Sequence, residues 1–533
     1  MASSPGAERA ALRCVVSGPP GVGKSAVGAL AAAALGWRFV DLDDIITAEA
    51  SATVAQLFAR EGEVAFRERE HAALRRALEG ERVLVAVGGG ALVDRTTRRD
   101  TLRRARVVTL AAPIETLRAR LRGGVERPLL RGGAGALEAL LEARRSAYAE
   151  AHATVDASGP VDAVADAVAA QARGALSMLV PLGERSYRVC VGPLGGLARA
   201  MTGMVTAAVV TDATVARHWG EAAERALGGR PARVVLRPGE RSKTLRSVAR
   251  VWEAIGGDGA DRRAVIACVG GGVVTDVGGF AAATWLRGVR YVSAPTSLLA
   301  MVDASVGGKT GVDLPAGKNL VGAFHQPSLV WIDPATLATL APRHHRAALA
   351  EVVKIAAVRD DALLGWLEAH AAELGPSGDR ARLAPGGAID EMIRRAVQAK
   401  IDVVAEDERE AGPRALLNFG HTVGHALEAG AAFRALHGDC VAAGMRAELR
   451  LGEALGVTSG ELRRRVEGLM DTLGLARAIR ADQETALAAL RFDKKREDDG
   501  LRAALVSGPG QGTVAAVPTR ELTRSLRAVI EIL

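Results

Sequence analysis

The stretch RCVVSGPPGVGKSAVGALAAAAL, residues 13–35, decides the fold of the first third of this chain. RCVVSG (13–18) is apolar and β-branched, and GKSAVGALAAAAL reads as a helix. Between them GPPGVGKS (18–25) fits G-x4-G-K-[ST] in the strand-to-helix setting that motif needs. In such a loop Gly21, Val22 and Gly23 let backbone N–H groups curl around phosphates, and the helix N-terminus adds a favourable dipole. Lys24 would neutralise the β- and γ-phosphates and Ser25 would hold Mg²⁺. The motif predicts an ATP–Mg²⁺ site on a parallel α/β sheet and says nothing of the acceptor.

Working outward, RVLVAVGGG (82–90) and ARVVTLAAP (105–113) read as further buried parallel strands, and VDAVADAVAAQA (161–172) as a helix. ASGP and then PLGER break the pattern, which puts a domain boundary between about 175 and 182. A second α/β region follows, with strands at RVCVG (188–192), AAVVTD (207–212), ARVVLRPGE (232–240), AVIACVGGG (264–272) and VRYVSAPT (289–296). Beyond about residue 336, Ala/Leu/Arg-rich helices take over, and only LRAALVSGPGQGTVAAVP (501–518) resembles a hairpin. The expected domains are 1–178, 179–335 and 336–533.

The bulk numbers set limits. A chain of 533 residues, 49% hydrophobic and 24% charged, predicts two to four domains with their own cores. Aromatics supply only 3%, so packing must rest on Leu, Val, Ile and Ala. Cys14, Cys190, Cys268 and Cys440 are far apart, which argues against a disulfide framework or a zinc knuckle and for a reducing compartment. No apolar run reaches membrane-spanning length, and the N-terminus, with Glu8 leading into Leu12–Val16, has no signal-peptide pattern. The net charge of +8 is spread along the chain, without the localised basic face that nucleic acid requires. These features predict a cytoplasmic protein with small anionic substrates and neither nucleic acid nor membrane as partner.

The acceptor of the first domain is suggested by FVDLDD (39–44), GEVAFRERE (62–70), VGGGALV (87–93), ERPLL (126–130) and EARRSAY (142–148). Two aspartates at spacing two on a strand end could serve a metal shell and a substrate hydroxyl, or simply cap a helix. Over residues 10–172 these segments together resemble shikimate kinase, of the nucleoside-monophosphate-kinase-like fold. That resemblance implies Asp41 near Mg²⁺ and Asp43 on the acceptor hydroxyls, able to activate the attacking one. It also implies Arg67 and Arg144 on the carboxylate, Gly89 in the pocket wall and Arg127 as a lid over the phosphates. Arg145 is an alternative to Arg144. A small anionic polyol does need guanidinium forks and a carboxylate beside its nucleophile. Another small-metabolite kinase, such as a gluconate kinase, is the second reading.

The second half carries GGGVVTDVGGF (270–280), VDASVGGKTGVD (302–313), GKNLVGAF (317–324), AEVVK (350–354), NFGHTVGHALE (418–428) and LHGD (436–439). GGGVVTD follows an apolar run and precedes a helix, so its backbone can approach a pyrophosphate, although it is not G-x-G-x-x-G. His421 and His425 at i, i+4 share a helix face. By spacing alone they are either a metal-ligand pair or a core pair, and nothing in that spacing selects Glu351.

Across about residues 182–520 these motifs closely resemble 3-dehydroquinate synthase, a Rossmann-like α/β part followed by a mainly helical metal-binding part. The resemblance implies Glu351, His421 and His437 as ligands of Zn²⁺ (or Co²⁺), with His425 an active-site base or a support behind the ligands. A three-ligand site leaves positions for substrate oxygens. Asp303, Lys309, Asn319 and Lys354 would face the substrate, and Lys400, Arg414 and Asn418 would complete an anion pocket. Glu410 would accept a proton, and Lys494 or Lys495 would close over the carboxylate. Arg287 would reach a neighbouring subunit's site, which makes a homodimer through this half the expected assembly. NAD⁺ would lie on Asp212, Glu240, Lys243, Gly271, Gly272, Val273, Asp276, Thr296, Ser297 and Lys318.

Together the resemblances imply a fusion of shikimate kinase with 3-dehydroquinate synthase. The implied lyase oxidises 3-deoxy-D-arabino-heptulosonate 7-phosphate transiently, eliminates phosphate, returns the hydride and closes the carbocycle. A sister sugar-phosphate cyclase would share NAD, metal and most of the lysines, whereas a polyol dehydrogenase would not need so many phosphate-binding cations. A non-catalytic half would be expected to lack Lys24, Asp43 or a metal ligand, and all are present.

Overall fold

The computed structural model describes residues 12–122, 135–174, 177–257, 259–314, 317–375, 383, 386–491, 496–497 and 500–532. The chain forms two compact units, Met1–Cys190 and Val191–Leu533. The short antiparallel pair Met178–Val180 and Tyr187–Val191 occupies the chain's passage from one to the next.

The first unit is built on a five-stranded parallel sheet. Its strands run in the order Arg38–Asp41, Val83–Ala86, Arg13–Ser17, Arg106–Ala111, Ala153–Asp156. Helices cover both faces, so the strands are continuous apolar runs. Val15 and Val85 point into one core with Leu57, Phe66 and Leu74, while Cys14, Val16 and Leu84 point into the other with Val27 and Val168. The central strand Arg13–Ser17 delivers the phosphate-type loop at its carboxyl end, beside the strand that leads to the 88–90 glycines, with the strand that carries Asp41 next beyond it.

In the second unit, five parallel strands run in the order Leu329–Ile332, Arg290–Pro295, Ala264–Gly270, Val205–Asp212, Ala232–Leu236. The antiparallel hairpin Lys309–Leu314/Gly317–Phe324 follows, and Gly311 faces Gly322 across it. A π-helical turn, Ala300–Ala304, presents Asp303. The helical part includes Pro342–Arg359, Ala388–Glu406, His421–Gly430 and His437–Ala454. The expected late hairpin forms as Gly500–Gly508/Gln511–Pro518. Unexpectedly, a parallel pair, Ile479–Ala481 and Ile530–Ile532, also sits among the helices.

Close helix packing positions the second site. A Cβ on Gly438 would lie 2.0 Å from the Ala347 carbonyl oxygen, and one on Gly444 would lie 2.0 Å from that of Gly420. With hydrogen there instead, the helices carrying Glu351, His421 and His437 approach until their side chains meet. Among the described residues no helix is long and apolar enough to cross a membrane.

Candidate active sites

In the first unit Gly18, Gly21 and Gly23 have φ of 139°, 80° and 95°, conformations that glycine adopts without steric cost. The loop therefore curls onto the helix Lys24–Leu35. Lys24 Nζ donates to the carbonyls of Gly18 and Pro19, at 3.0 Å each, which ties the ammonium to the loop. Val22 is buried beneath the turn, and Ser25 is exposed one residue into the helix.

Asp41 both ends its strand and caps the helix Leu42–Ala50, accepting from Asp43 N at 3.1 Å. Of the two roles weighed for the aspartate pair, the cap falls to Asp41, while Asp43 stands in the first turn of the helix. Gly88 brings the backbone beside Asp43: a Cβ there would lie 3.2 Å from Oδ1. Arg67 pairs with Glu70 and, at 3.1 Å, with Glu63, and its guanidinium lies 5.5 and 5.6 Å from the Phe58 and Phe66 ring centroids. A Cβ on Gly90 would lie 2.2 Å from Arg67 Nη2. Tyr148 donates to the Gly89 carbonyl at 2.7 Å and is itself bonded to Arg144. Arg144 is buried beside Glu70, whereas Arg145 is exposed and pairs with Glu184 at 2.6 Å. Arg67, Arg144, Asp43 and the triple glycine therefore converge on one place, and Arg127 lies outside the described residues.

Sequence reasoning missed Glu70. Burial pushes its acid upward against the pull of Arg67, with Asp43 raising it and Arg144 lowering it further. It stands inside the quoted GEVAFRERE, where nothing separates it from its solvated neighbours.

In the second unit Gly271 begins the helix Gly272–Thr284 without a side-chain cap, leaving the first N–H groups suited to an anion. Thr296 N bonds the Gly270 carbonyl at 3.0 Å, and a Cβ on Gly271 would lie 3.3 Å from Ser297 Oγ. Val273 lies in the first turn. This narrow glycine cradle fits a dinucleotide pyrophosphate. Asp212 Oδ1 caps the next helix, accepting from Thr214 N at 2.8 Å and Val215 N at 3.1 Å. Lys243 pairs with Asp276 and with Asn319, whose backbone is left-handed at φ 55°. Burial raises Asp276 to about 6 even beside that lysine. Lys318 lies 3.2 Å from Glu428 and 3.9 Å from Glu240.

Glu351, His421 and His437 place one donor atom each within 4.8 Å of one another. Glu351 is buried, and the Nε2 atoms of His437 and His421 stand 3.4 and 3.6 Å from its Oε1. Burial and the Lys354 ammonium hold His421 well below its usual range, hence neutral. Burial disfavours the His437 cation, yet hydrogen bonds to Glu351 and Glu428 lift it to about 10. One carboxylate with two imidazoles suits Zn²⁺ or Co²⁺, and a metal would displace the His437 proton. The His421 position is fixed by Glu448, a buried carboxylate accepting from Gly420 N (2.6 Å) and Val423 N (3.2 Å) at the helix start. His425 sits with its ring centroid 5.3 Å from that of His421 and 6.2 Å from that of His437, beside the donor set and not in it. Of the i, i+4 pair, only His421 belongs to the gathered donor set.

Beside this donor set lies a cavity of about 990 Å³, lined among others by Asp276, Asp303, Lys309, Asn319, Lys400, Glu410, Arg414, Asn418 and His425. Lys400 donates to the Asp303 carbonyl at 2.6 Å and also pairs with its carboxylate. Lys309 pairs with Glu410, which accepts from Asn418 Nδ2 at 2.7 Å. Lys354 pairs with Glu351, and Arg414 donates to the Gly307 carbonyl at 3.0 Å. Burial lowers Lys400 to about 8. Arg409 and Arg502 also line the cavity and had no motif to announce them. Arg287 is exposed on the left-handed pair Leu286–Arg287 (φ 48° and 66°) and is not among these lining residues. Lys494 and Lys495 lie outside the described residues.

These folds and sites define a two-part enzyme, a P-loop phosphotransferase joined to a Rossmann-type synthase with a metal-type donor set. Residues 20–173 match the shikimate kinase family, and residues 233–347 and 348–496 match the N- and C-terminal parts of 3-dehydroquinate synthase. The 3-dehydroquinate synthase of Thermosynechococcus vestitus is 44% identical over 359 residues, covering 65% of this chain and 96% of that protein. That of Gloeobacter violaceus is 45% identical, with 65% and 97% covered. The solved 2-epi-5-epi-valiolone synthase of Streptomyces hygroscopicus subsp. jinggangensis 5008, with NAD⁺ and Zn²⁺ bound, is 33% identical with a TM-score of 0.59, covering 64% of this chain and 96% of that one. The chain belongs to the 3-dehydroquinate synthase family, here fused behind a shikimate kinase domain. It thus carries two enzymes of the shikimate pathway.

Proposed function

We propose that residues 1–178 transfer the ATP γ-phosphoryl group to the 3-hydroxyl of shikimate with Mg²⁺. Residues 179–335 and 336–533 together convert 3-deoxy-D-arabino-heptulosonate 7-phosphate to 3-dehydroquinate and phosphate. The observation that carries the second assignment is the Glu351/His421/His437 donor set beside a cavity furnished with acid-paired lysines. NAD⁺ supplies reversible hydride acceptance, and Zn²⁺ or Co²⁺ supplies a Lewis acid at a substrate oxygen.

The protein's own groups bind and orient. Lys400, Arg414 and Asn418 take the substrate carboxylate, with Lys494 or Lys495 closing over it. Asp303, Lys309, Asn319 and Lys354 hold the remaining oxygens, and Glu410 and His425 move protons. In the kinase half Arg67 and Arg144 clamp the shikimate carboxylate, and Asp43 accepts the proton of the attacking hydroxyl. Lys24 and Arg127 attend the phosphates, with Mg²⁺ on Ser25 and near Asp41. We further propose a cytoplasmic homodimer joined through the synthase half, with Arg287 offered to the partner. The four cysteines, three of them buried, suit a reducing compartment.

The deciding assay is phosphate release by metal-loaded protein with NAD⁺ and 3-deoxy-D-arabino-heptulosonate 7-phosphate, with sedoheptulose 7-phosphate in parallel. Release from the first with dehydroquinate formed is expected. The 33% identity to a valiolone synthase supplies the competing reading, and release only from the second substrate would establish it.

Two further results are expected. Arg144→Ala raises the KM for shikimate by about 10²-fold, the scale of losing one charge-assisted contact of about 2–3 kcal/mol, while Arg145→Ala changes it less than about threefold. Equal effects would remove the distinction that burial draws between them. For the synthase half, kcat/KM falls as pH rises through about 8, because Lys400 loses the charge that binds an anion there. A pH–rate profile of Lys400→Arg, whose cation persists, should lack that alkaline limb.

A further inference from the structure

Glu428 has no role so far. It lies near the end of the helix His421–Gly430 and is almost fully buried, at 2% exposure. Its Oε1 meets His437 Nδ1 at 3.1 Å and Lys318 Nζ at 3.2 Å, so one oxygen serves two partners from different elements. Across the imidazole, His437 Nε2 faces Glu351 at 3.4 Å.

A neutral imidazole carries one N–H, and an ionised carboxylate can only accept. With Glu428 ionised, the proton left on His437 when a metal displaces the other sits on Nδ1, and the Nε2 lone pair faces the donor cluster. His421 is turned the same way by a weaker partner, the Phe419 carbonyl, 3.2 Å from its Nδ1. Lys318, reaching from the hairpin strand Gly317–Phe324, compensates the buried charge, and its ammonium also lies 4.9 Å from the Phe433 ring centroid.

We propose that Glu428 is a positioning residue of the metal site: it fixes the tautomer and ring orientation of His437, and Lys318 holds it in place. This rests on reading Glu351, His421 and His437 as the metal ligands. Glu428 lies outside the three-residue donor set and would act through His437. Replacement by Gln keeps the size, removes the charge and puts an N–H₂ in place of one acceptor oxygen, so the tautomer is no longer fixed.

The test uses full-length protein stripped of metal. Zn²⁺ is titrated against a chelating competitor, and Co²⁺ is followed by its visible ligand-field bands. Glu428→Gln is expected to bind both ions about 10–100-fold more weakly, the usual effect of losing such a partner, with displaced Co²⁺ bands. Circular dichroism, thermal unfolding of the metal-free protein and ATP-dependent kinase activity should stay unchanged. Affinity within twofold of the parent, with an unaltered Co²⁺ spectrum, overturns the proposal. His437→Ala runs alongside: if it too keeps normal affinity, the assignment of the ligands has failed, and the inference with it. Should Glu428→Gln not fold, Glu428→Asp keeps the charge while withdrawing it from Nδ1, and the same two criteria apply.

Discussion

Lys24→Ala is expected to lower shikimate phosphorylation roughly 10³-fold in kcat while phosphate release by the synthase half stays within about twofold. The reason is geometric. Lys24 Nζ is held by the Gly18 and Pro19 carbonyls at the mouth of the loop, where charge accumulates on the transferring phosphoryl group. Alanine removes the only cation that the loop segment 18–25 contributes and leaves the three positive-φ glycines to form the turn. Folding should therefore survive, since Val22 and Val27 beneath the loop keep their packing. Measuring both activities on one preparation checks this, and a parallel loss of cyclisation in a folded variant would show the two sites to be dependent.

His437→Ala is the reciprocal experiment. It deletes one of three donors and also takes from the buried Glu428 its imidazole partner, leaving Lys318 beside it. Metal content should drop, and the synthase rate should fall by roughly 10³-fold or more, the scale of several kcal/mol of lost Lewis-acid stabilisation. Kinase activity should persist. Metal analysis of the dialysed protein distinguishes a vacated site from an intact but inactive one. Full metal occupancy in the variant would mean that the ligands lie elsewhere.

What could be read without coordinates follows from how local each signal is. The phosphate-type loop spans eight consecutive residues between a strand and a helix, so motif and fold are one statement. The parallel strands announce themselves as apolar runs because both faces are covered. The metal site is different. Its donors come from three helices, and Glu351 lies 70 residues from His421, with a periodicity that gives no hint of convergence; only the family resemblance brought it in. The local signal, His421 and His425, does not match the gathered donor set, in which His437 enters from the next helix at the close approach that Gly438 and Gly444 permit. The hairpin 309–324 was legible as a substrate-facing, glycine-rich segment but not as strands, since Gly, Lys, Asn and Asp all depress strand propensity. Glu70 and Glu428 escaped because a buried acid and a solvated one look alike until their partners are placed.

Four lysines of the second unit come with an acid already attached: Lys309 with Glu410, Lys400 with Asp303, Lys243 with Asp276, Lys354 with Glu351. An anion arriving there does not fall into a bare positive well. It takes over hydrogen bonds that a protein carboxylate gives up, so its net gain is the difference between two ion pairs. On the proposed reaction, such an exchange would make occupancy reversible at modest affinity, and a departing phosphate would leave lysines whose former partners are within reach.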